Sequence, residues 1–195
     1  MKGTPQLADL IEITGPAVRR ISPIRILGAM TNEECDAAIA LGTKQKLLPG
    51  EMYTPIEGYR ESLISLIPRV ERSEWLYAKV IKLGQQANRE FGFKVDFNTA
   101  IIQYTQYDVN GEIGWHTDYD HVGANPRKVS ITIQLSNPKE YRGGALEFFP
   151  TGEIPWGKSK GTGIIFPSFL QHRVNAVTRG MRKSLVIWFS GPPFC

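Results

Sequence analysis

The chain has 195 residues, of which 42% are hydrophobic and 22% charged, and its formal net charge is +4. These values are typical of a single globular domain and exclude a disordered or fibrous chain. The sequence has no run of eighteen apolar residues, which excludes a membrane-spanning helix.

Charge, cysteine content and the N-terminal sequence limit the partners and the compartment. Basic residues are spread along the chain rather than collected in one run, which disfavours nucleic acid as a partner. The two cysteines, Cys35 and Cys195, are too few for a disulfide framework, and residues 1–20 lack the apolar segment of a secretory signal. We therefore expect a cytoplasmic protein with an N-terminal arm (1–20) and a single domain (21–195).

The first elements predicted after the arm are a strand and a helix. Residues 21–27 alternate between apolar and polar side chains, as in a strand. Thr31 is followed three residues later by Glu34, which is the pattern of a capping box. This box predicts a helix that runs to about Leu41 and ends at Gly42.

A second helix is predicted from Ser73 to about Phe91, directly before Gly92. Its apolar residues recur at spacings of three and four and form one face, which indicates packing against a sheet. Glycine at the following position favours the left-handed backbone that commonly ends a helix.

After Gly92 the sequence changes to short β-type runs separated by Gly and Pro. Residues 129–135 alternate strictly, so one face of this strand is expected to be apolar and the other polar. Two helices followed by seven or eight short strands predict an α+β fold, with a sandwich or a double-stranded β-helix (jelly-roll) core braced by the N-terminal helices. The predicted strands are 99–107, 113–117, 129–135, 145–149, 163–166, 173–177 and 184–189.

Two of the three histidines are placed to bind a metal ion. His116 and Asp118 lie at the end of a predicted strand, where residues two apart point to the same face and can reach one ion. His172 directly precedes another predicted strand and is the best candidate for a third ligand. Two histidines and one carboxylate form the facial triad of non-haem iron(II) oxygenases, which leaves coordination positions open. The remaining histidine, His121, is assigned to substrate or solvent.

Arg182 supplies a second feature of the predicted site. It lies ten residues after His172, at the approach to the last predicted strand. A guanidinium group presents a rigid pair of donors that matches a carboxylate. A co-substrate that chelates iron at one end and carries a carboxylate at the other would require such a group at the far end of the pocket.

Three segments around these residues resemble the prolyl 4-hydroxylase-like branch of the 2-oxoglutarate/iron(II) dioxygenases, in the family's order and spacing. They are YDVNGEIGWHTD (107–118), GGALEFFP (143–150) and FPSFLQHRVNAVTRGMRKSLVIW (166–188). The resemblance covers residues 95–190, which are therefore expected to form the catalytic core. One departure is Ile113, where several relatives have a tyrosine.

The resemblance implies a role for each matching residue. The triad of His116, Asp118 and His172 matches the catalytic iron ligands. Arg182 matches the residue that binds the distal carboxylate of 2-oxoglutarate. Tyr107 matches a tyrosine of the co-substrate pocket, and Gln134 falls where relatives place a further contact to the co-substrate.

The implied activity is hydroxylation with O₂ and 2-oxoglutarate, which yields succinate and CO₂. Iron(II) is the implied metal, and L-ascorbate is expected to support activity by keeping it reduced. The family points to a prolyl residue of a peptide or protein as the substrate. Residues 48–67 begin with the helix breakers Pro49 and Gly50 and are expected to form a mobile cover over the site.

Two other functions fit parts of the same pattern. Nucleic-acid demethylases of this superfamily carry a second arginine six residues after the co-substrate arginine, where this chain has Trp188. A catalytically silent jelly-roll binding module is expected to lack a metal ligand, and none is missing from the sequence. Both functions are therefore disfavoured relative to a hydroxylase.

Overall fold

Two antiparallel β-sheets pack face to face, and two helices cover the outer surface of the larger sheet. The structure is a computed structural model that describes residues 21–50, 60–119, 126–153 and 157–194. The predicted arm, residues 1–20, lies outside these ranges. The predicted α+β architecture is confirmed, with two sheets that remain open at their edges.

The described residues form fourteen strands and two α-helices. In chain order these are β1 (Ile24–Ile26), α1 (Asn32–Thr43), β2 (Leu48–Pro49), β3 (Arg60–Glu61), β4 (Leu63–Leu66), α2 (Glu74–Phe91), β5 (Asp96–Tyr107), β6 (Glu112–His116), β7 (Arg127–Gln134), β8 (Tyr141–Gly143), β9 (Leu146–Phe148), β10 (Gly152–Glu153), β11 (Gly163–Pro167), β12 (His172–Val174), β13 (Val177–Gly180) and β14 (Arg182–Ser190). The larger sheet has the order β1-β11-β7-β14-β5-β4-β2 and the smaller sheet β10-β9-β12-β6-β3, while β13 and β8 form a separate pair.

Helix α1 begins as predicted but does not end at Gly42. The capping box is present, with Thr31 N donating to Glu34 Oε2 at 2.8 Å and Glu34 N donating to Thr31 Oγ1 at 3.2 Å. The helix continues through Gly42 to Thr43. A Cβ atom at Gly42 would lie 2.3 Å from Cγ of Tyr104, so this glycine permits close contact between α1 and β5. The prediction was wrong because close packing and helix ends both favour glycine.

Helix α2 follows the prediction closely. It ends at Phe91, and Gly92 adopts the left-handed conformation with φ of 65°. Its apolar face packs against the larger sheet and forms most of the main core with it. No helix in the described part of the chain has the length and apolar character needed to cross a membrane.

Strand β7 of the larger sheet has two buried faces, one apolar and one polar. Its odd-numbered residues 129–135 pack into the main core with the helices. Its even-numbered residues, which we call the site-facing row (Lys128, Ser130, Thr132 and Gln134), are also buried, on the face turned toward the smaller sheet. The polar side of the predicted alternation therefore lies between the two sheets rather than in solvent.

Two sequence-based predictions differ from the structure in this region. The single strand predicted at 173–177 is two strands, because β12 pairs with β6 and β9 whereas β13 pairs with β8. The predicted mobile cover, 48–67, is wrong at both ends, which form β2, β3 and β4 and are hydrogen-bonded into the two sheets. Its centre, 51–59, lies outside the described residues.

Candidate metal and co-substrate site

Strand pairing brings the three predicted metal ligands together. His116 ends β6 and His172 begins β12, and these two residues are direct partners in the smaller sheet. Asp118 follows β6 and contacts both rings, with Oδ1 3.8 Å from Nε2 of His116 and Oδ2 3.6 Å from Nε2 of His172. One potential ligand atom from each residue falls within 4.8 Å of the others, which is close enough for a single ion.

Backbone carbonyl groups orient both imidazole rings. Nδ1 of His116 donates to the carbonyl oxygen of Gly114 at 2.8 Å, and Nδ1 of His172 donates to that of Leu170 at 2.9 Å. A ring that donates from Nδ1 keeps the lone pair of Nε2 for a metal. Such outer contacts fix the tautomer and orientation of metal-binding histidines.

The protonation states of the cluster also suit a cation. Burial, together with the neighbouring His172, lowers the pKa of His116 to about 4. Burial alone would raise the pKa of Asp118, but the two histidines and the nearby Ser130 and Trp188 side chains hold it below its usual value. At neutral pH this gives a neutral imidazole beside a carboxylate, and Oδ2 of Asp118 is buried without a hydrogen-bond partner. The donor set fits iron(II).

Arg182 is a buried positive charge beside this cluster. It is 1% exposed, pairs directly with Tyr107 across β14 and β5, and places Cζ 5.2 Å from the centre of the tyrosine ring. Its Nε atom has no hydrogen-bond partner, and among the described residues no carboxylate forms an ion pair with it. Because a buried charge without a counter-charge is costly, Arg182 suits an anionic ligand.

Gln134 and Tyr141 supply further unpaired polar atoms near Arg182. Gln134 lies opposite Ser184, whose hydroxyl is 3.3 Å from Nη1 of Arg182. Both polar side-chain atoms of Gln134 and the hydroxyl of Tyr141 are buried without a partner. A Cβ atom at Gly144 would lie 2.8 Å from Arg182 and 3.4 Å from Tyr141, so this glycine keeps space open between them. A carboxylate could satisfy such a cluster of donors.

Tyr141 is a site residue that sequence reasoning missed. The available signal was an aromatic hydroxyl residue two positions before Gly143-Gly144, a pair already noted in the sequence. Tyr107 lies opposite Arg182, and burial raises the pKa of its hydroxyl while Arg182 opposes that effect. Ile113 packs in the smaller core between the sheets. His121 lies outside the described residues.

Comparison with known proteins agrees with this geometry. The model of the 2OG-Fe(II) oxygenase superfamily matches residues 102–190. A PKHD-type hydroxylase from Thermosynechococcus vestitus is 36% identical over 92 residues, which are 45% of this chain and 41% of that protein. The chain thus spans less than half the length of this relative.

Two solved structures share the fold. The viral collagen prolyl hydroxylase of Paramecium bursaria Chlorella virus-1, solved as its 2-oxoglutarate complex, has a TM-score of 0.69 at 21% identity and covers 87% of this chain and 96% of its own. The prolyl hydroxylase of Trichoplax adhaerens, solved with a hypoxia inducible factor peptide fragment, has a TM-score of 0.69 at 17% identity, with coverages of 87% and 83%. At these identities the similarity shows the fold alone.

Fold, residue cluster and family match agree. Residues 102–190, which contain the three candidate metal ligands and Arg182, are similar to the 2OG-Fe(II) oxygenase superfamily. The fold of the chain is also that of the two prolyl hydroxylases named above.

Proposed function

We propose that this chain is an iron(II)- and 2-oxoglutarate-dependent dioxygenase that hydroxylates a prolyl residue in a polypeptide. The observation that carries the proposal is the cluster of His116, Asp118 and His172, whose ligand atoms lie within 4.8 Å of one another. Two histidines and one carboxylate are the ligand set of the non-haem iron(II) oxygenases. The family match over residues 102–190 supports the same activity.

Each part of the site has a distinct task in this reaction. The three ligands would hold iron(II), which when bound supplies the site where O₂ is activated. Arg182, with Gln134, would bind and orient the distal carboxylate of 2-oxoglutarate. Phe148 and Phe166 pack around His172, with ring centres 5.7 and 4.8 Å away, and limit the access of water.

Tyr107 and Tyr141 line the same end of the pocket. Tyr107 packs its ring against the Arg182 guanidinium, and the Tyr141 hydroxyl is free to donate to a bound carboxylate. L-Ascorbate would act as a reductant that keeps the iron in the ferrous state. This role is implied by the resemblance to the family.

An exposed apolar strip favours a polypeptide over a free amino acid as the substrate. The strip consists of the exposed Leu48, Leu66 and Ile101 on the adjacent strands β2, β4 and β5, and it ends at the buried Trp188 of β14. Trp188 lies beside Asp118 and pairs with Ile101, and Gln103, two residues along β5, pairs with Leu66. These side chains therefore share the site-facing side of the sheet.

The strip is long enough for several residues of an extended peptide. Leu48, Leu66 and Ile101 are 50%, 58% and 41% exposed. The strip crosses three strand spacings of about 4.8 Å and shifts by four residues of ~3.3 Å along the strands, which gives roughly 20 Å, or about six residues of extended chain. We propose that an apolar segment beside the target residue lies on this strip. The peptide complex of the Trichoplax adhaerens protein provides a parallel for a peptide substrate.

Succinate release tests the activity and the substrate class together. The purified protein would be supplied with iron(II), 2-oxoglutarate and O₂, with or without ascorbate, and with either poly-L-proline or free L-proline. We expect poly-L-proline to stimulate succinate release and to gain 16 Da per hydroxylation, whereas free proline has little effect. Stimulation by free proline alone would contradict the polypeptide substrate. A silent binding module would show no succinate and no anaerobic absorption band with iron(II) and 2-oxoglutarate.

Substitution within the strip should weaken peptide binding without affecting the metal site. We expect Ile101→Ser or Leu66→Ser to raise the KM for poly-L-proline by about tenfold, because burial of one such side chain contributes ~1.5–3 kcal/mol. Peptide-independent turnover of 2-oxoglutarate should stay at the wild-type rate. The matched control is Leu27→Ser, which changes a 63% exposed leucine next to the opposite edge strand. Equal KM values for poly-L-proline in all three variants would show that the strip is not part of the substrate site.

A further inference from the structure

Ser168 joins three segments that surround the candidate metal site. Its carbonyl oxygen accepts the backbone N–H groups of Asp118 and Tyr119 at 2.9 and 3.0 Å, and its own N–H donates to the carbonyl oxygen of Lys128 at 3.0 Å. Its hydroxyl lies 2.9 Å from that of Ser130. Both serines are 0% exposed, so these contacts form without competition from solvent.

Ser130 links the turn at Ser168 to strand β7. It belongs to the site-facing row of β7, and the 2.9 Å contact between its hydroxyl and that of Ser168 joins the strand to the turn. The hydroxyl pair therefore fixes the position of the Ser168 carbonyl oxygen, which accepts the backbone N–H group of Asp118.

The turn that contains Ser168 also orients His172. Leu170 N donates to the carbonyl oxygen of Pro167 at 2.9 Å and closes the turn. The carbonyl oxygen of Leu170 accepts the Nδ1 hydrogen bond of His172. Asp118 and His172 are therefore both hydrogen-bonded to residues 167–170, and a displacement of this turn would move two of the three ligands together.

We propose that the buried hydroxyl pair of Ser130 and Ser168 positions Asp118 and this turn for metal binding. The inference rests on the proposed function, since it concerns the metal of the same site. Both serines act through Asp118 and the turn rather than on the metal, so they are positioning residues. Loss of such an outer contact typically lowers metal affinity by about 10–100-fold.

A pair that only fills the core would behave differently. Removal of a buried hydrogen bond changes the free energy of unfolding, and loss of both partners can be nearly neutral. A packing role alone therefore predicts altered stability of the metal-free protein with an unchanged metal site. A positioning role predicts a weaker and differently coordinated metal.

Cobalt(II) binding to the metal-free protein separates these roles. We expect Ser130→Ala and Ser168→Ala each to lower the affinity for cobalt(II) by about tenfold or more and to change the visible spectrum of the bound ion. The matched control is Ser65→Ala: Ser65 is 5% exposed, and its hydroxyl donates to the carbonyl oxygen of Gly42 at 2.8 Å, on the helix side of the same sheet. This control should keep the wild-type affinity and spectrum.

Thermal unfolding of each metal-free variant completes the test. Wild-type cobalt affinity and spectrum in Ser130→Ala would overturn the inference, as would equal losses in the Ser65 control. If Ser168→Ala fails to fold, Ser130→Ala decides alone. A wild-type protein that binds no cobalt(II), or binds it equally well after His116→Ala, would instead refute the metal site of the proposed function. The inference would then fail with it, but for a recognisably different reason.

Discussion

Alanine at His116 or at Asp118 is expected to abolish turnover of 2-oxoglutarate while the protein remains folded. Both side chains converge on one point with His172, and both lie at the end of a strand whose pairing is made by the backbone. Their removal would take away two of the three proposed metal ligands, and neither residue belongs to the two hydrophobic cores. Succinate release should fall below detection in both variants, and thermal unfolding of the metal-free proteins should remain cooperative.

A neighbouring residue provides the control for this experiment. Arg173 follows His172 in β12 but points to the other face, where Nε donates to Oε2 of Glu147 at 2.9 Å. Arg173→Ala perturbs the same strand and should retain turnover. Undiminished turnover in either purified ligand variant would show that the metal assignment is wrong.

Replacement of Arg182 by alanine is expected to weaken 2-oxoglutarate binding by at least tenfold. The guanidinium is 1% exposed and has an unpaired Nε atom, so a bound carboxylate would be its counter-charge in a desolvated pocket. Truncation of one partner of such a pair costs about 2–5 kcal/mol, and roughly 1.4 kcal/mol is a factor of ten. Lysine should restore part of the affinity, because the charge remains although the paired donors are lost.

The dissociation constant of 2-oxoglutarate can be measured directly, by anaerobic titration of the iron-loaded protein. Arg179→Ala serves as the control, since Arg179 lies three residues earlier on β13 and is exposed. It should keep the wild-type affinity. If Arg182→Ala also keeps that affinity, the carboxylate is bound elsewhere and the buried arginine has another role.

Local signals in the sequence were sufficient for the helices and for part of the site. The capping box at Thr31 and the left-handed Gly92 involve residues only a few positions apart, so their structural meaning can be read directly. The positions of His116 and Asp118 could be read in the same way from the two-residue repeat of an extended chain. The role of Gly42 could not be predicted in this way, because Gly42 packs closely against Tyr104, which is distant in the sequence.

Features that depend on distant partners were beyond sequence reasoning. The break between β12 and β13 is set by a change of pairing partner rather than by a turn residue. Tyr141 gains its place in the site only because Gly144 leaves room beside Arg182. The apolar strip combines residues from four strands that are adjacent only in the folded sheet. The short strands β2, β3, β8 and β10 were missed because long-range pairing, not local propensity, stabilises them.

Strand β14 sets the distance between two side chains of the candidate site. Arg182 and Trp188 lie six residues apart on one face of it, a separation of roughly 20 Å at ~3.4 Å per residue. Insertion or deletion of one residue between them would turn one of the two toward the helices, since a one-residue slip reverses the faces of a strand. An even separation thus keeps the proposed carboxylate anchor and the proposed substrate contact on one side of the sheet.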